Sequence, residues 1–108
     1  MNLTEFLTAR LDEDEAMAKA AWGVEWDWRY VAQPFGERPS IAHTVHIARH
    51  DPARVLREVE AKREILTAYI KAEADGHRGN GWIALRFAVE ALTAAWSDHG
   101  DYRPGWKP

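Results

Sequence analysis

The chain has 108 residues, no cysteine, six tryptophans and a formal net charge of −3 at pH 7. This length fits one domain over residues 1–108, and a hydrophobic content of 46% argues against a disordered chain. The absence of cysteine excludes disulfides and thiolate chemistry, and the acidic balance disfavours a strongly basic nucleic-acid-binding domain. No membrane-length apolar run or signal-peptide pattern is visible, so we expect a cytoplasmic protein with no membrane association.

The first predicted element is a helix over about residues 3–20. Asn2 followed by Glu5 resembles a capping pair, with Thr4 as a competing cap. The residues that recur at helical spacing and form one apolar stripe are Leu3, Phe6, Leu7, Leu11 and Met17.

The middle of the chain changes to a period of two, which is typical of half-buried strands. Apolar and polar residues alternate over 24–30 and again over 41–47, and a loop rich in proline and glycine at 33–40 separates them. The pattern predicts an antiparallel β-hairpin. A two-stranded ribbon alone is only marginally stable, so we expect its aromatic face to pack on a helix.

Asp51 and Pro52 mark the start of a second helix, which we expect to run to about Glu73. Aspartate is a favoured N-cap, because its carboxylate accepts N–H groups that have no partner in the first turn. Proline at the first helical position loses no needed donor and already has a helical φ angle. This junction is the most informative local signal in the chain.

A glycine-rich polar break at 75–81 precedes a third predicted helix over about 82–97. This helix has two apolar stripes, so each side must meet another helix or a partner chain. The second stripe consists of Ile83, Phe87 and Ala94. An extended tail with aromatic residues follows. The predicted fold class is therefore α+β: an N-terminal helix, an antiparallel β-hairpin, two further helices and an extended C-terminal tail.

Two groups of side chains suggest metal binding, and each has a structural explanation. His43, His46 and His50 lie close in sequence, but the first two point to opposite faces of a strand and we expect no zinc site. A Mg²⁺-dependent phosphohydrolase would use the acidic residues of 12–15 with Glu60 and Glu64. A solvated acidic face explains these carboxylates without catalysis, so we expect no cofactor and no catalytic residues.

Candidate binding residues fall into a basic group and an aromatic group. The start of the second helix offers free N–H groups, which would attract a phosphate or a nucleic-acid backbone only weakly because Asp51 and Glu58 offset the charge. The aromatic strand face would form a protein contact surface if part of it is exposed. The candidate residues are Arg49, Arg54 and Arg57 in the basic group and Trp26, Trp28 and Tyr30 in the aromatic group.

Three blocks of sequence resemble an uncharacterised family of small proteins from actinobacteria and their phages. The blocks are LTARLDEDE at 7–15, HIARHDPARVLREVEAKR at 46–63 and DHGDYRPGW at 98–106. Some relatives carry cysteines between Asp75 and Trp82, where this chain has none, so no metal role carries over. The resemblance implies a phage or bacterial setting, and for a phage-encoded protein the host cytoplasm, but it implies no activity.

The leading functional hypothesis is a non-catalytic accessory protein that acts through protein–protein contacts, either as a homodimer or with another partner. A Mg²⁺-dependent phosphohydrolase on the acidic helices is the enzymatic alternative. Weak nucleic-acid binding at the start of the second helix is a third hypothesis.

Overall fold

The structure, a computed structural model, describes residues 1–21, 51–76 and 78–108. These residues form three α-helices and two short 3-10 turns. The helices are α1 (Leu3–Ala21), α2 (Pro52–Ala74) and α3 (Asn80–Thr93), and the turns are Ala94–Trp96 and Pro104–Trp106. All three helices were predicted, with starts that agree to within two residues.

The predicted α+β fold class is wrong. Every regular element within residues 1–21, 51–76 and 78–108 is helical, and none of these residues forms a strand. The class depended on short alternating segments at 24–30 and 41–47, which lie outside the described residues. Short apolar runs are a weak signal, and no described strand joins the predicted hairpin to stabilise it. The protein is therefore described as all-helical over these ranges.

The start of α1 confirms the predicted capping pair. Asn2 Oδ1 accepts the backbone N–H of Glu5 at 2.8 Å, and Glu5 Oε1 accepts the backbone N–H of Asn2 at 3.5 Å. Thr4 is not the cap, because its hydroxyl donates to Asn2 Oδ1 at 2.8 Å. These bonds lie within the first turn and fix where α1 begins.

The start of α2 is also as predicted. Asp51 has extended backbone angles, its side chain accepts the backbone N–H of Arg54 at 2.8 Å, and Pro52 occupies the first turn. At the other end Gly76 has a φ of 71°, a left-handed conformation that glycine adopts without steric cost. This turn reverses the chain between α2 and α3.

The three helices run antiparallel in sequence order. Leu3 lies beside Tyr69 near the end of α2, whereas Asp12 is bonded to Arg63 nearer its middle. Trp82 at the start of α3 is bonded to Glu73 near the end of α2. α2 therefore packs against both other helices.

The core combines the inner faces of the helices with the C-terminal tail. Trp106 is buried, and its ring lies 5.2 Å from that of Phe6 between centroids. The tail docks on α1 and forms a 3-10 turn, whereas the sequence predicted an extended segment. The buried apolar residues that form one core cluster are Leu3, Phe6, Leu7, Leu11, Val59, Leu66, Tyr69, Val89 and Trp106.

Among the helices that the structure describes, none has both the length and the apolar character needed to cross a lipid bilayer.

Candidate functional site

The carboxylate of Glu73 gathers donors from both sides of the turn between α2 and α3. Its Oε1 accepts the hydroxyl of Tyr69 at 2.7 Å and the indole N–H of Trp82 at 3.0 Å. Its Oε2 accepts a guanidinium N–H of Arg78 at 3.0 Å. The Arg78 guanidinium also lies over the Trp82 ring, 4.7 Å from its centroid. One acidic side chain thus fixes the relative position of the two helices.

Arg86 extends this network along the inner side of α3. Its Nη1 donates to the Tyr69 hydroxyl at 2.8 Å, and its Nε donates to Glu90 one turn later at 2.5 Å. Tyr69 therefore accepts from a cation while it donates to an anion. Charge-assisted hydrogen bonds of this kind are stronger than bonds between neutral groups.

The network shifts the acid–base properties of its members. The hydrogen bond from Tyr69, followed by that from Trp82, lowers the pKa of Glu73 below its ordinary value. Burial, followed by the bond to Glu73, raises the pKa of Tyr69. The bonds to Tyr69 and Glu90 raise the pKa of Arg86. At neutral pH the network therefore contains an ionised carboxylate, a neutral phenol and a charged guanidinium.

A cavity of about 290 Å³ opens beside this network, where the start of α1 meets the end of α2. Polar groups of the network form one wall, and aliphatic side chains form the other. The lining residues are Asn2, Leu3, Thr4, Tyr69, Ile70, Glu73 and Arg86.

The outer face of α3 is the second notable surface, and we define it as Ile83, Ala84, Phe87 and Ala91. All four are exposed, and the two large side chains retain 54% (Ile83) and 60% (Phe87) of their accessible surface. Ile83 and Phe87, two residues of the second predicted apolar stripe, are therefore not covered by the part of the chain that the structure describes.

The acidic stretch of α1 is engaged in ion pairs with α2. Arg63 Nη2 donates to Asp12 at 2.8 Å and to Glu15 at 2.8 Å, and Lys19 pairs with Glu15 at 2.8 Å. Hydrogen bonds from Lys19 and Arg63 lower the pKa of Glu15, whereas burial raises that of Asp14. Within residues 1–21, 51–76 and 78–108, no three histidine or acidic side chains converge as metal ligands would.

The predicted binding residues are not brought together by the described structure. Arg54 is exposed and donates from Nε to Glu58 at 3.0 Å, and Arg57 is exposed on the same helix. The other candidates, Arg49, Trp26, Trp28 and Tyr30, and the three histidines of the zinc hypothesis, lie outside the described residues. Binding by all of these residues stays a prediction.

A family model described as "Family of unknown function (DUF6221)" matches residues 1–108. The chain belongs to this family. The match confirms the sequence resemblance to an uncharacterised family. No curated protein and no solved structure matches the chain.

Sequence reasoning missed several contacts between residues that lie far apart in this chain. Arg10 is buried beside Phe6, with its guanidinium carbon 5.0 Å from the ring centroid, and it contacts His99 from the C-terminal region. Tyr69 and Arg86 also meet only in the fold. The i,i+4 spacings of Tyr69 with Glu73 and of Arg86 with Glu90 were the available signals.

Proposed function

We propose that this chain is a non-catalytic accessory protein that acts through protein–protein contacts, and that the outer face of α3 makes them. One observation carries the proposal: Ile83 and Phe87 lie one helical turn apart and are more than half exposed. Large apolar side chains that cluster on a surface are typical of interaction sites, whereas scattered ones are not.

The composition of α3 supports this assignment. Its only charged residues are Arg86 and Glu90, and they bond to each other. α2 presents a different surface to solvent, because most of its exposed positions are charged: Arg54, Arg57, Glu58, Glu60, Glu64 and Lys71. A solvated helix normally carries charge on its outer side, so the uncharged outer face of α3 is more typical of a surface that packs against another protein.

We propose a second copy of the chain as the partner. The outer face of α3 has no charge, so two copies can meet without burying an unpaired ion. Ala84 and Ala91 flank the larger side chains, and small residues allow two helices to approach closely. A two-fold dimer uses the same patch on both subunits, which requires a self-complementary surface such as this one.

The biological setting that we propose is an actinobacterial cell or one of its phages. It is supported by the three blocks of sequence at 7–15, 46–63 and 98–106. The fold and the contacts described above bear on how the protein binds and not on where it originates.

Sedimentation velocity over a dilution series tests the second-copy proposal with a matched pair of variants. Ala91→Glu places a charge on the outer face of α3, and Ala61→Glu places the same charge on an exposed position of α2. We expect the wild type and Ala61→Glu to dimerise with rising concentration and Ala91→Glu to stay monomeric. A wild type that is monomeric at every concentration, or equal behaviour of the two variants, would contradict the proposal.

Metal addition separates this proposal from the phosphohydrolase hypothesis. Asp12 and Glu15 already pair with Arg63, so we expect millimolar Mg²⁺ or Mn²⁺ to leave Tm unchanged. A metal that binds only the folded state would raise Tm. A metal-dependent rise that disappears when Glu15 and Glu60 are both changed to Gln would favour the enzyme.

A further inference from the structure

The cavity beside Glu73 is separate from the outer face of α3 and needs its own explanation. Its volume of about 290 Å³ lies near the lower end of the range of small-molecule pockets, roughly 300–1,000 Å³. Two helices contribute its polar wall, with Tyr69 and Glu73 from α2 and Arg86 from α3. Leu3 and Ile70 contribute its apolar wall.

The acceptors of the cavity are largely occupied. Glu73 accepts three hydrogen bonds, and Tyr69 gives its single hydroxyl hydrogen to it. Asn2 Oδ1 accepts from the backbone N–H of Glu5 and from the hydroxyl of Thr4. An incoming group that donates hydrogen bonds would therefore find few oxygen lone pairs to meet it.

The donors of the cavity are in surplus. Arg86 uses Nε and Nη1 in the network, and its Nη2 has no hydrogen-bond partner among residues 1–21, 51–76 and 78–108. Within the same ranges the Asn2 amide nitrogen is also without an acceptor. Arg86 can therefore donate a charge-assisted hydrogen bond from Nη2 to a carboxylate oxygen, and the positive end of α1 adds modestly to the attraction of an anion.

We propose that this cavity binds a small organic carboxylate with an aliphatic tail. The carboxylate meets the guanidinium of Arg86 and the amide of Asn2. The tail lies against Leu3 and Ile70, of which Ile70 is 46% exposed. This site does not depend on the dimer proposed above, because none of its lining residues belongs to the outer face of α3.

Titration by NMR with two isosteric probes tests the chemistry. Isovalerate carries the carboxylate, and isovaleramide keeps the tail while it removes the charge. We expect saturable shifts of the backbone N–H signals of Leu3, Thr4 and Ile70 with isovalerate, and at least about tenfold weaker binding of the amide, since a charged hydrogen bond is lost. Equal binding of the two probes, or no saturable shift with isovalerate, would overturn the proposal.

Matched variants test where on the protein the carboxylate binds. Ile70→Trp fills the cavity from an exposed position, so the fold should persist, and Ala68→Trp puts the same ring elsewhere on α2. We expect the first variant to lose isovalerate binding and the second to keep it. Arg86→Gln should also lose it, with an unchanged circular dichroism spectrum as the check on folding. Binding retained by Ile70→Trp would overturn the site, and stronger binding of inorganic phosphate than of isovalerate would overturn the role of the tail.

Discussion

Two aromatic regions of this molecule, around Phe6 and around Phe87, differ in how far they are buried. Phe6 on α1 is fully buried, and three rings of the C-terminal region surround it, with centroids 5.3 Å (His99), 6.1 Å (Tyr102) and 5.2 Å (Trp106) away. Phe87 on α3 is of the same residue type but is 60% exposed. The chain therefore covers the apolar surface around Phe6 with its own C-terminal residues, whereas no described residue covers Phe87.

The C-terminal tail shields Phe6 from solvent. The turn at Pro104–Trp106 places the Trp106 ring against Phe6 of α1, and the buried Arg10, whose guanidinium lies over the Phe6 ring, contacts His99. A buried guanidinium needs such partners, because an unpaired buried charge is costly. The outer face of α3 carries no charged or hydrogen-bonding side chain, so covering it would leave no polar side chain without a partner.

The largest expected effect is the difference in stability between truncating Phe6 and truncating Phe87. Phe6→Ala should lower the free energy of unfolding by about 3–5 kcal/mol, because it leaves a cavity in the core. Phe87→Ala should change it by less than about 0.5 kcal/mol, as is usual for surface positions. Both are measured by urea unfolding in the monomeric Ala91→Glu background, which keeps self-association out of the result. Similar losses for both would show that Phe87 is covered within the chain.

A smaller effect is expected at a helix end that belongs to neither region. Asp51→Ala removes the acceptor of the Arg54 backbone N–H and should cost about 0.5–2 kcal/mol. Arg57→Ala, an exposed change one turn further along α2, is the control and should stay within about 0.5 kcal/mol. An unchanged denaturant midpoint for Asp51→Ala would refute the capping role.

The smallest expected effect is the pH dependence of the Glu73 network. Its hydrogen bonds lower the pKa of Glu73 in the folded state, so their stabilisation is present above the ordinary value of 4.5 and is lost as pH falls through the folded value. The Glu15 carboxylate, whose pKa is also lowered, acts in the same direction, and Asp14, whose pKa is raised, opposes them.

The matched measurement is the difference in Tm between wild type and Glu73→Gln as a function of pH. This difference should be largest at neutral pH and shrink below about pH 4.5. A difference that is constant across this range would show that the charge of Glu73 contributes nothing beyond its hydrogen-bonding shape.

Local signals in the sequence predicted the helices well. Asp51 and Pro52 located the start of α2, and the capping pair of Asn2 and Glu5 located that of α1, because each cap is formed by residues within one turn. α3 starts two residues before the predicted position, at Asn80, since Gly79 adopts the extended cap conformation without any side-chain hydrogen bond to mark it.

Contacts between distant segments could not be predicted in the same way. The pairing of Arg10 with His99 and that of Arg86 with Tyr69 depend on how helices pack, and no local spacing encodes them. The cavity lined by Leu3 and Ile70 has the same origin. The predicted fold class was wrong because it relied on a local period of two at 24–30 and 41–47, whereas every described element is helical.

Site-directed cross-linking tests most directly whether the outer face of α3 meets a second copy of the chain. The chain has no cysteine, so a single Ala91→Cys or Ala61→Cys substitution creates a unique thiol on α3 or on α2. With a short bis-maleimide, Ala91→Cys is expected to give a covalent dimer and Ala61→Cys to remain mostly monomeric. Equal cross-linking of the two variants, or a dimer formed only through position 61, would contradict the proposal that two copies meet through the outer face of α3.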